Sequence, residues 1–392
     1  MTALPEPSRS TAKEIVKLWD GRNTPHRPHL GCSIIGHPCD RHIWLSWRWA
    51  KAPAFPGRIL RLFDTGKREE ERLLQDLRDL GVELFTHDEE SGKQIGVSAH
   101  DGHLAGSVDG IGRGFIEAPK SWAVLECKTH SAKSYAKLVK EGVKTSKFQH
   151  YVQMQMYMGL LEIERALYLA QNKDDDSIYS EWIHFDKDCF EQHMYRAKTI
   201  IEMTSPPQRL SEDPSWYECK WCDHYTLCHG EQIADVNCRT CAHSSPAKEG
   251  QWHCNNDQPS LNLTEEAQRT GCKSHLYIPP LIPYAKPVDG GQSWVEYEKA
   301  DGQKFINAPD KWPSQELFVT LPSLVGDKGI DEIKEVFPGA KVVSSKPFTV
   351  ADLTDDLGPV YAERKQPLTD EEIAIKKAVA HVEAQRKTKY KE

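Results

Sequence analysis

Apolar residues recur at helical spacing in "DTGKREEERLLQDLRDLG" (64–81), where Leu73, Leu74, Leu77 and Leu80 fall on one side and Gly81 stands as a C-terminal stop. The pattern then changes to short β-favouring runs at 82–86, 93–99, 103–112 and 123–129, separated by Asp, Glu, Ser and Gly turns, which predict a meander. Helical spacing returns over 132–142 and 147–163, strands are predicted at 165–172 and 179–186, and a helix over about 187–203 places Phe190, Met194, Ala197 and Ile201 on one stripe. This order predicts a mixed α/β domain over about 30–210.

Three prolines in 204–216 break the pattern, and a cysteine-dense segment follows. A second Pro- and Gly-rich stretch, 277–291, is expected to be a linker before a hairpin, "SWVEYEKADGQKFINA", and a polar C-terminal helix with a basic tail over 371–392. The expected organisation is an N-terminal extension (1–29), an α/β domain with a cysteine set (30–235), a small Cys-rich module (236–285) and an α+β C-terminal accessory domain (286–392).

Two features of the α/β domain point to chemistry. Asp109 closes "LAGSVDG", and "AVLECKT" ends with Glu126 and Lys128 on one face of a strand while Cys127 points to the other. Phosphodiester hydrolysis needs a divalent ion, commonly Mg²⁺ held by one or two carboxylates, and a nearby lysine can hold the water or offset phosphate charge. Each residue alone also has an ordinary reading: an exposed ion pair for Glu126 and Lys128, and turn chemistry for Asp109 before Gly110.

Taken together, "GSVDG" followed by "VLECKT" resembles the paired motifs of the PD-(D/E)XK nuclease superfamily, and "QMQMY" (153–157) resembles the Gln, three residues, Tyr motif of its RecB-like branch. Glu70 in "TGKREE" is similar to the further acidic ligand of YqaJ and lambda-exonuclease-type phage recombination nucleases. The resemblance spans about 30–230 and implies a restriction-endonuclease-like mixed sheet flanked by helices. It further implies Mg²⁺ or Mn²⁺ on Asp109, Glu126 and the Cys127 carbonyl, with Glu70 completing the site, Lys128 assisting the water, and Gln153 and Tyr157 lining the DNA path.

Seven of the eleven cysteines fall between 219 and 272, a density that favours metal ligation over disulfides. Cys219, Cys222 and Cys228 leave a tetrahedral site one ligand short, and Cys39 is the candidate fourth. RecB-like nucleases of the AddB and CRISPR-adaptation type carry one cysteine before the core and three after it on a 4Fe-4S cluster, and this arrangement is similar, although Cys39-Asp40-Arg41 stands where they usually have Cys-Pro-Arg. Zinc with His224 or His229 as fourth ligand, and free buried thiols, are the competing readings. Cys238, Cys241, Cys254 and Cys272 form a second set whose leading C-x2-C favours structural zinc, with His243, His253 and His275 as substitutes.

A net charge of -8 gives no global sign of a nucleic-acid binder, but 51–68 and 133–151 combine Lys and Arg with aromatics, as backbone contact and base stacking would require and as a charged helix face also would. No signal peptide, membrane-length apolar run or phosphate loop is present, so a soluble cytoplasmic protein (host cytoplasm if phage-encoded) without its own translocation ATPase is expected. The expected function is a metal-dependent DNA exonuclease acting on linear ends or single strands in phage recombination, replication or repair, with a single-strand annealing protein or helicase as possible partner. A site- or structure-specific endonuclease, or an inactive zinc-dependent DNA-binding adaptor, are the alternatives.

Overall fold

The computed structural model describes residues 10–22, 26–256, 261–337 and 339–342. Helix α1 (Thr11–Asp20), a two-residue strand β1 (Leu30–Gly31) and helices α2 (Asp40–Trp47) and α3 (Gly57–Asp79) come first, and strands β2 (Glu83–Phe85), β3 (Gly96–Ala99), β4 (Leu104–Ser107), β5 (Gly110–Arg113) and β6 (Ala123–His130) follow. Helices α4 (Ala132–Ser146) and α5 (Phe148–Leu161) then lead to β7 (Arg165–Asn172), β8 (Ile178–His184) and α6 (Lys187–Glu202). The central sheet is mixed, in the order β2-β5-β6-β7-β8, with β6 and β7 parallel and the other pairs antiparallel. α4 and α5 form the helical crossover that a parallel pair requires.

Two expectations change here. The run 82–129 is not one meander: β3 and β4 pair with each other and β4 with β1 in a separate sheet, and the chain crosses to the central sheet at Val108–Asp109. The reason is long-range, since the short segment at Leu30–Gly31 is in register with Leu104–Ala105 and extends that small sheet. α3 also starts at Gly57 rather than 64, and its first turns lie against α1, where Asp20 accepts a hydrogen bond from the Gly57 N–H. Leu73, Leu74 and Leu77 are buried but Leu80 is exposed, and Gly81 adopts φ +82°, the left-handed conformation that ends helices cheaply.

The core under α3 joins those three leucines to Val82, Phe115, Leu125, Cys127, Leu167 and Leu169. β6 and β7 are therefore apolar on both faces for most of their length, as strands covered on both sides must be.

After α6 come two short helices, α7 (Tyr217–Lys220) and α8 (Tyr225–His229), and a three-stranded sheet in the order β11-β10-β9, from β9 (Ser244–Pro246), β10 (Trp252–Cys254) and β11 (Leu261–Leu263), followed by α9 (Glu265–Thr270). Arg239 ties this segment to the α/β core. Its guanidinium is buried over Trp49, at 3.7 Å from the ring centre, with Trp47 and Trp252 beside it, and it donates to the carbonyls of Pro28 and Trp47. Burial lowers its pKa to about 8, the repulsion of Arg48 adding to that, so π-faces and carbonyls stand in for a counter-ion.

The stretch 277–291 is not a free linker. Tyr277, Ile278, Leu281 and Ile282 are buried, the Tyr277 hydroxyl donates to the Ala234 carbonyl at 2.7 Å, and β12 (Ala285–Gly290) already belongs to the β12-β13-β14 sheet with the hairpin strands β13 (Val295–Lys299) and β14 (Lys304–Asn307). Its prolines interrupt helix without preventing burial, because their neighbours Ile278, Leu281 and Ile282 supply apolar surface. Two further helices, α10 (Ser314–Val319) and α11 (Lys328–Val336), follow, and the helix expected over 371–392 lies outside the described residues. No described helix is long and apolar enough to cross a membrane.

Leu74 is buried in the core between α3 and the central sheet. Leu74→Ala should destabilise the protein by about 2–5 kcal/mol in a urea melt, with the slope unchanged.

Candidate active site

Strand alternation settles which side chains of β6 can do chemistry. Leu125 and Cys127 turn into the core beneath α3, so the Cys127 thiol is packed among leucines and only its backbone reaches the opposite face. Glu126 lies on that opposite face and is completely buried. Its register partner on β7 is Tyr168, whose hydroxyl meets α5 through His150.

Asp109 sits in the break between β4 and β5, where its Oδ2 accepts the Cys127 N–H at 2.7 Å. That bond fixes the carboxylate against β6. The Lys128 Nζ is 3.9 Å from the same Oδ2, is in contact with Glu126 Oε1, and donates to the Cys127 carbonyl at 3.2 Å. One ammonium thus spans two carboxylates and one carbonyl.

The electrostatics are unusual for a structural ion pair. Burial, helped by the negative charges of Asp109 and Glu70, pushes the Glu126 pKa up to about 8 against the pull of Lys128. Glu70, on α3, is pushed up to about 7 by burial and by Asp109. For Lys128, burial opposes the charged form but Glu126 and Asp109 outweigh it, and its pKa rises. Three carboxylates therefore repel one another around one cation.

On α5, Gln153 donates through Nε2 to the Tyr157 hydroxyl at 3.2 Å. Burial and the Glu126 charge raise the pKa of Tyr157, so it is a neutral donor at the edge of this group. Tyr157 is also why Gly106 must be glycine: a Cβ there would lie 2.7 Å from the tyrosine ring. "GSVDG" thus supplies both the carboxylate and the space for its neighbour.

Both oxygens of Glu126 are buried; Oε1 meets the Lys128 ammonium, and among the described residues Oε2 has no hydrogen-bond donor. A buried carboxylate with one unpartnered oxygen beside two further carboxylates is the kind of donor set a hard divalent cation takes. Among the described residues, however, no three His, Cys, Asp or Glu side chains stand at metal-binding spacing. The carboxylates are gathered but not closed.

The cysteine sets have the same character. Cys39, Cys219, Cys222 and Cys228 line one cavity with His42 and His224. Arg41 Nε donates to Cys228 Sγ at 3.3 Å, and His42 Nδ1 is 3.4 Å from Cys222 Sγ. Burial pushes the Cys222 thiol up to about 11, with the charges of Cys228 and Cys39 adding to it. His224 is held by Ser46 at 3.0 Å, and among the described residues the buried His229 Nε2 has no hydrogen-bond partner.

In the second set, burial pushes Cys238 up to about 12, and Cys241, Cys272 and Cys254 all contribute to that rise. Of the substitute histidines, the buried His275 has its Nε2 3.1 Å from both Thr240 Oγ1 and the Asn237 carbonyl.

Three neighbours of the carboxylates were not singled out from sequence: His130, His150 and Tyr168. The Tyr168 hydroxyl lies 2.9 Å from His130 Nε2 and 2.9 Å from His150 Nδ1. His150 had a signal, being three residues before Gln153 and seven before Tyr157 on one helical face. Tyr168 had none, because only the β6–β7 register puts it beside Glu126.

The class defined by the fold is a mixed α/β protein with a carboxylate–lysine cluster at the end of a central strand. No protein-family model and no curated protein matches the chain. Among solved structures, SSO0001 is similar at 14% identity, covering 56% of this chain and 96% of that one with a TM-score of 0.35. An alkaline exonuclease (LHK-Exo) from Laribacter hongkongensis is similar at 13% identity, over 47% of this chain and 90% of its own, at 0.31. The same enzyme in complex with dAMP gives 12% identity over the same shares, also at 0.31. Likenesses this partial place no residue of the site.

The shifted glutamates dictate a pH dependence. Their folded pKa values, about 7 and about 8, lie above the ordinary 4.5, so the native state binds extra protons and its stability falls as pH rises towards 8. In EDTA the melting temperature should drop between pH 5.5 and 8, and the rise caused by Mn²⁺ should be larger at pH 8. A metal-induced rise that is equal at both pH values would contradict this.

Proposed function

We propose that this chain is a metal-dependent deoxyribonuclease that hydrolyses DNA from its ends. The observation that carries the reading is Glu126: a fully buried carboxylate met by Lys128 at one oxygen and, among the described residues, by no hydrogen-bond donor at the other, beside Asp109 and a protonation-prone Glu70. Burying such a charge costs several kcal/mol, a cost that a purely structural strand has no reason to carry.

Mg²⁺ or Mn²⁺ would be held by Asp109, Glu126 and the Cys127 carbonyl, with Glu70 completing or orienting the set. The chemistry such an ion supplies is neutralisation of phosphate charge and acidification of bound water. Lys128 holds its proton tightly, so it acts as a donor that orients the water and offsets charge on the scissile phosphate rather than as a base. Tyr157, neutral and positioned by Gln153, lines the DNA path. Lys133, Lys137, Lys140 and Lys144 recur along α4, the helix that leaves β6 just beyond the site, and would follow the strand's phosphates.

The thiols of Cys39, Cys219, Cys222 and Cys228 would hold a 4Fe-4S cluster that clasps the two ends of the 30–235 domain. Those of Cys238, Cys241, Cys254 and Cys272 would hold zinc and stabilise a segment with little core of its own. Clustered thiols whose negative charges would repel one another fit cationic centres, which remove that penalty. The 286–392 region is assigned an accessory role, and a single-strand annealing protein or helicase is the partner this activity would serve.

With Mg²⁺ or Mn²⁺, anaerobically purified protein should degrade end-labelled linear DNA and leave closed circles intact. Glu126→Ala should lower the rate by about three orders of magnitude. Cutting of circles would make the enzyme an endonuclease, and an undiminished rate in Glu126→Ala would remove the site assignment. The same preparation should be brown and contain acid-labile sulfide together with zinc; zinc alone would replace the cluster at the first cysteine set.

A further inference from the structure

Beside the carboxylates runs a chain of hydrogen bonds that begins at a fixed donor. The Lys147 ammonium can only donate, and it donates to Ser134 Oγ at 2.6 Å. Ser134 Oγ is also 3.3 Å from His130 Nδ1, the one acceptor among the described residues for its proton, and can donate there. His130 is buried and neutral, its pKa lowered to about 4 by burial and by Lys147, Lys173 and Lys128. With Nδ1 accepting, its single N–H is on Nε2 and points to the Tyr168 oxygen at 2.9 Å.

Tyr168 is completely buried and holds its proton, because burial and the Glu126 charge both raise its pKa. That proton can only go to His150 Nδ1, 2.9 Å away. His150 is itself neutral, burial and then the Lys128 charge holding its pKa at about 3, so its one N–H is on Nε2. Among the described residues no protein group bonds that Nε2, and it is not one of the buried atoms left without a partner. It is therefore open to solvent, on the α5 face that carries Gln153 and Tyr157.

We propose that His150 is a phosphate-binding residue: its Nε2–H, held in that tautomer by Tyr168, His130, Ser134 and Lys147, donates to a non-bridging oxygen of the DNA phosphate next to the Glu126–Asp109–Lys128 group. The proposal rests on the nuclease reading above, since it names a substrate contact of the same site. A neutral donor suits this position. It adds a directed hydrogen bond to an anion beside Lys128, without a second positive charge to repel that lysine or compete with a metal ion.

Two amides separate this role from a structural one. In His150→Gln the amide nitrogen reaches the Nε2 position and keeps the donor, whereas in His150→Asn the side chain reaches only the Nδ1 position and keeps the bond to Tyr168. KM and kcat for end-labelled linear duplex with Mg²⁺ should show a KM about tenfold higher in His150→Asn and near the wild-type value in His150→Gln. Nitrogen NMR of imidazole-labelled protein should show His150 protonated on Nε2, and lose that signature in Tyr168→Phe.

The proposal is overturned if His150→Asn keeps the wild-type KM, if His150→Gln loses as much as His150→Asn, or if His150 carries its proton on Nδ1. Glu126→Gln serves as the reference: if it still cleaves, the nuclease reading itself has failed. If it is inactive while His150→Asn is unaffected, only the present inference falls.

Discussion

The structure depends on a carboxylate placed where water cannot reach it. Glu126 stands on the face of β6 opposite the α3 leucines, and the strand can hold it there only because Leu125 and Cys127 anchor the other face. Every neighbour answers that buried charge. Lys128 supplies a counter-charge from two residues along the same strand, Asp109 is tied to the β6 backbone, and α5 closes over the group with Tyr157 and Gln153. Even so, among the described residues no donor reaches Glu126 Oε2, and that buried oxygen is the strongest sign that the site is built for something the protein binds.

Burial also explains why the flanking groups are neutral donors. Tyr157, Tyr168, His130 and His150 all have their charged forms disfavoured, which leaves Lys128 as the cation in contact with the carboxylates. In such an environment a proton's position is set by hydrogen-bond direction rather than by pH, and the Lys147–Ser134–His130–Tyr168–His150 chain follows this rule. The same economy of charge appears at Arg239, where three indole faces and carbonyls replace an acid.

The sequence made β6 legible because an apolar run that breaks into Glu-Cys-Lys keeps its strand alternation to the last residue. The leucine stripe of α3, the α4–α5 pair, the strands β7 and β8 and the hairpin at 295–307 were legible for similar reasons, since each carries its own periodicity. What escaped was long-range. The two residues of β1 have no periodicity, yet they divert β3 and β4 from the central sheet. The prolines of 277–291 resembled a linker because composition does not report that Tyr277 and Ile282 find a core. Asp109, Glu126 and Lys128 could be paired from motif order, but His130, His150 and Tyr168 could not, since three single residues on three elements meet only through strand register.

The central claim is that Glu126 and Asp109 are metal ligands. Direct titration of the metal-free protein with Mn²⁺, followed by the electron paramagnetic resonance of the free ion, tests it without requiring DNA or activity. The account predicts a site in the wild type that weakens at least about tenfold in Asp109→Asn and in Glu126→Gln while both variants keep a cooperative melt. Unchanged Mn²⁺ affinity in folded variants would contradict it.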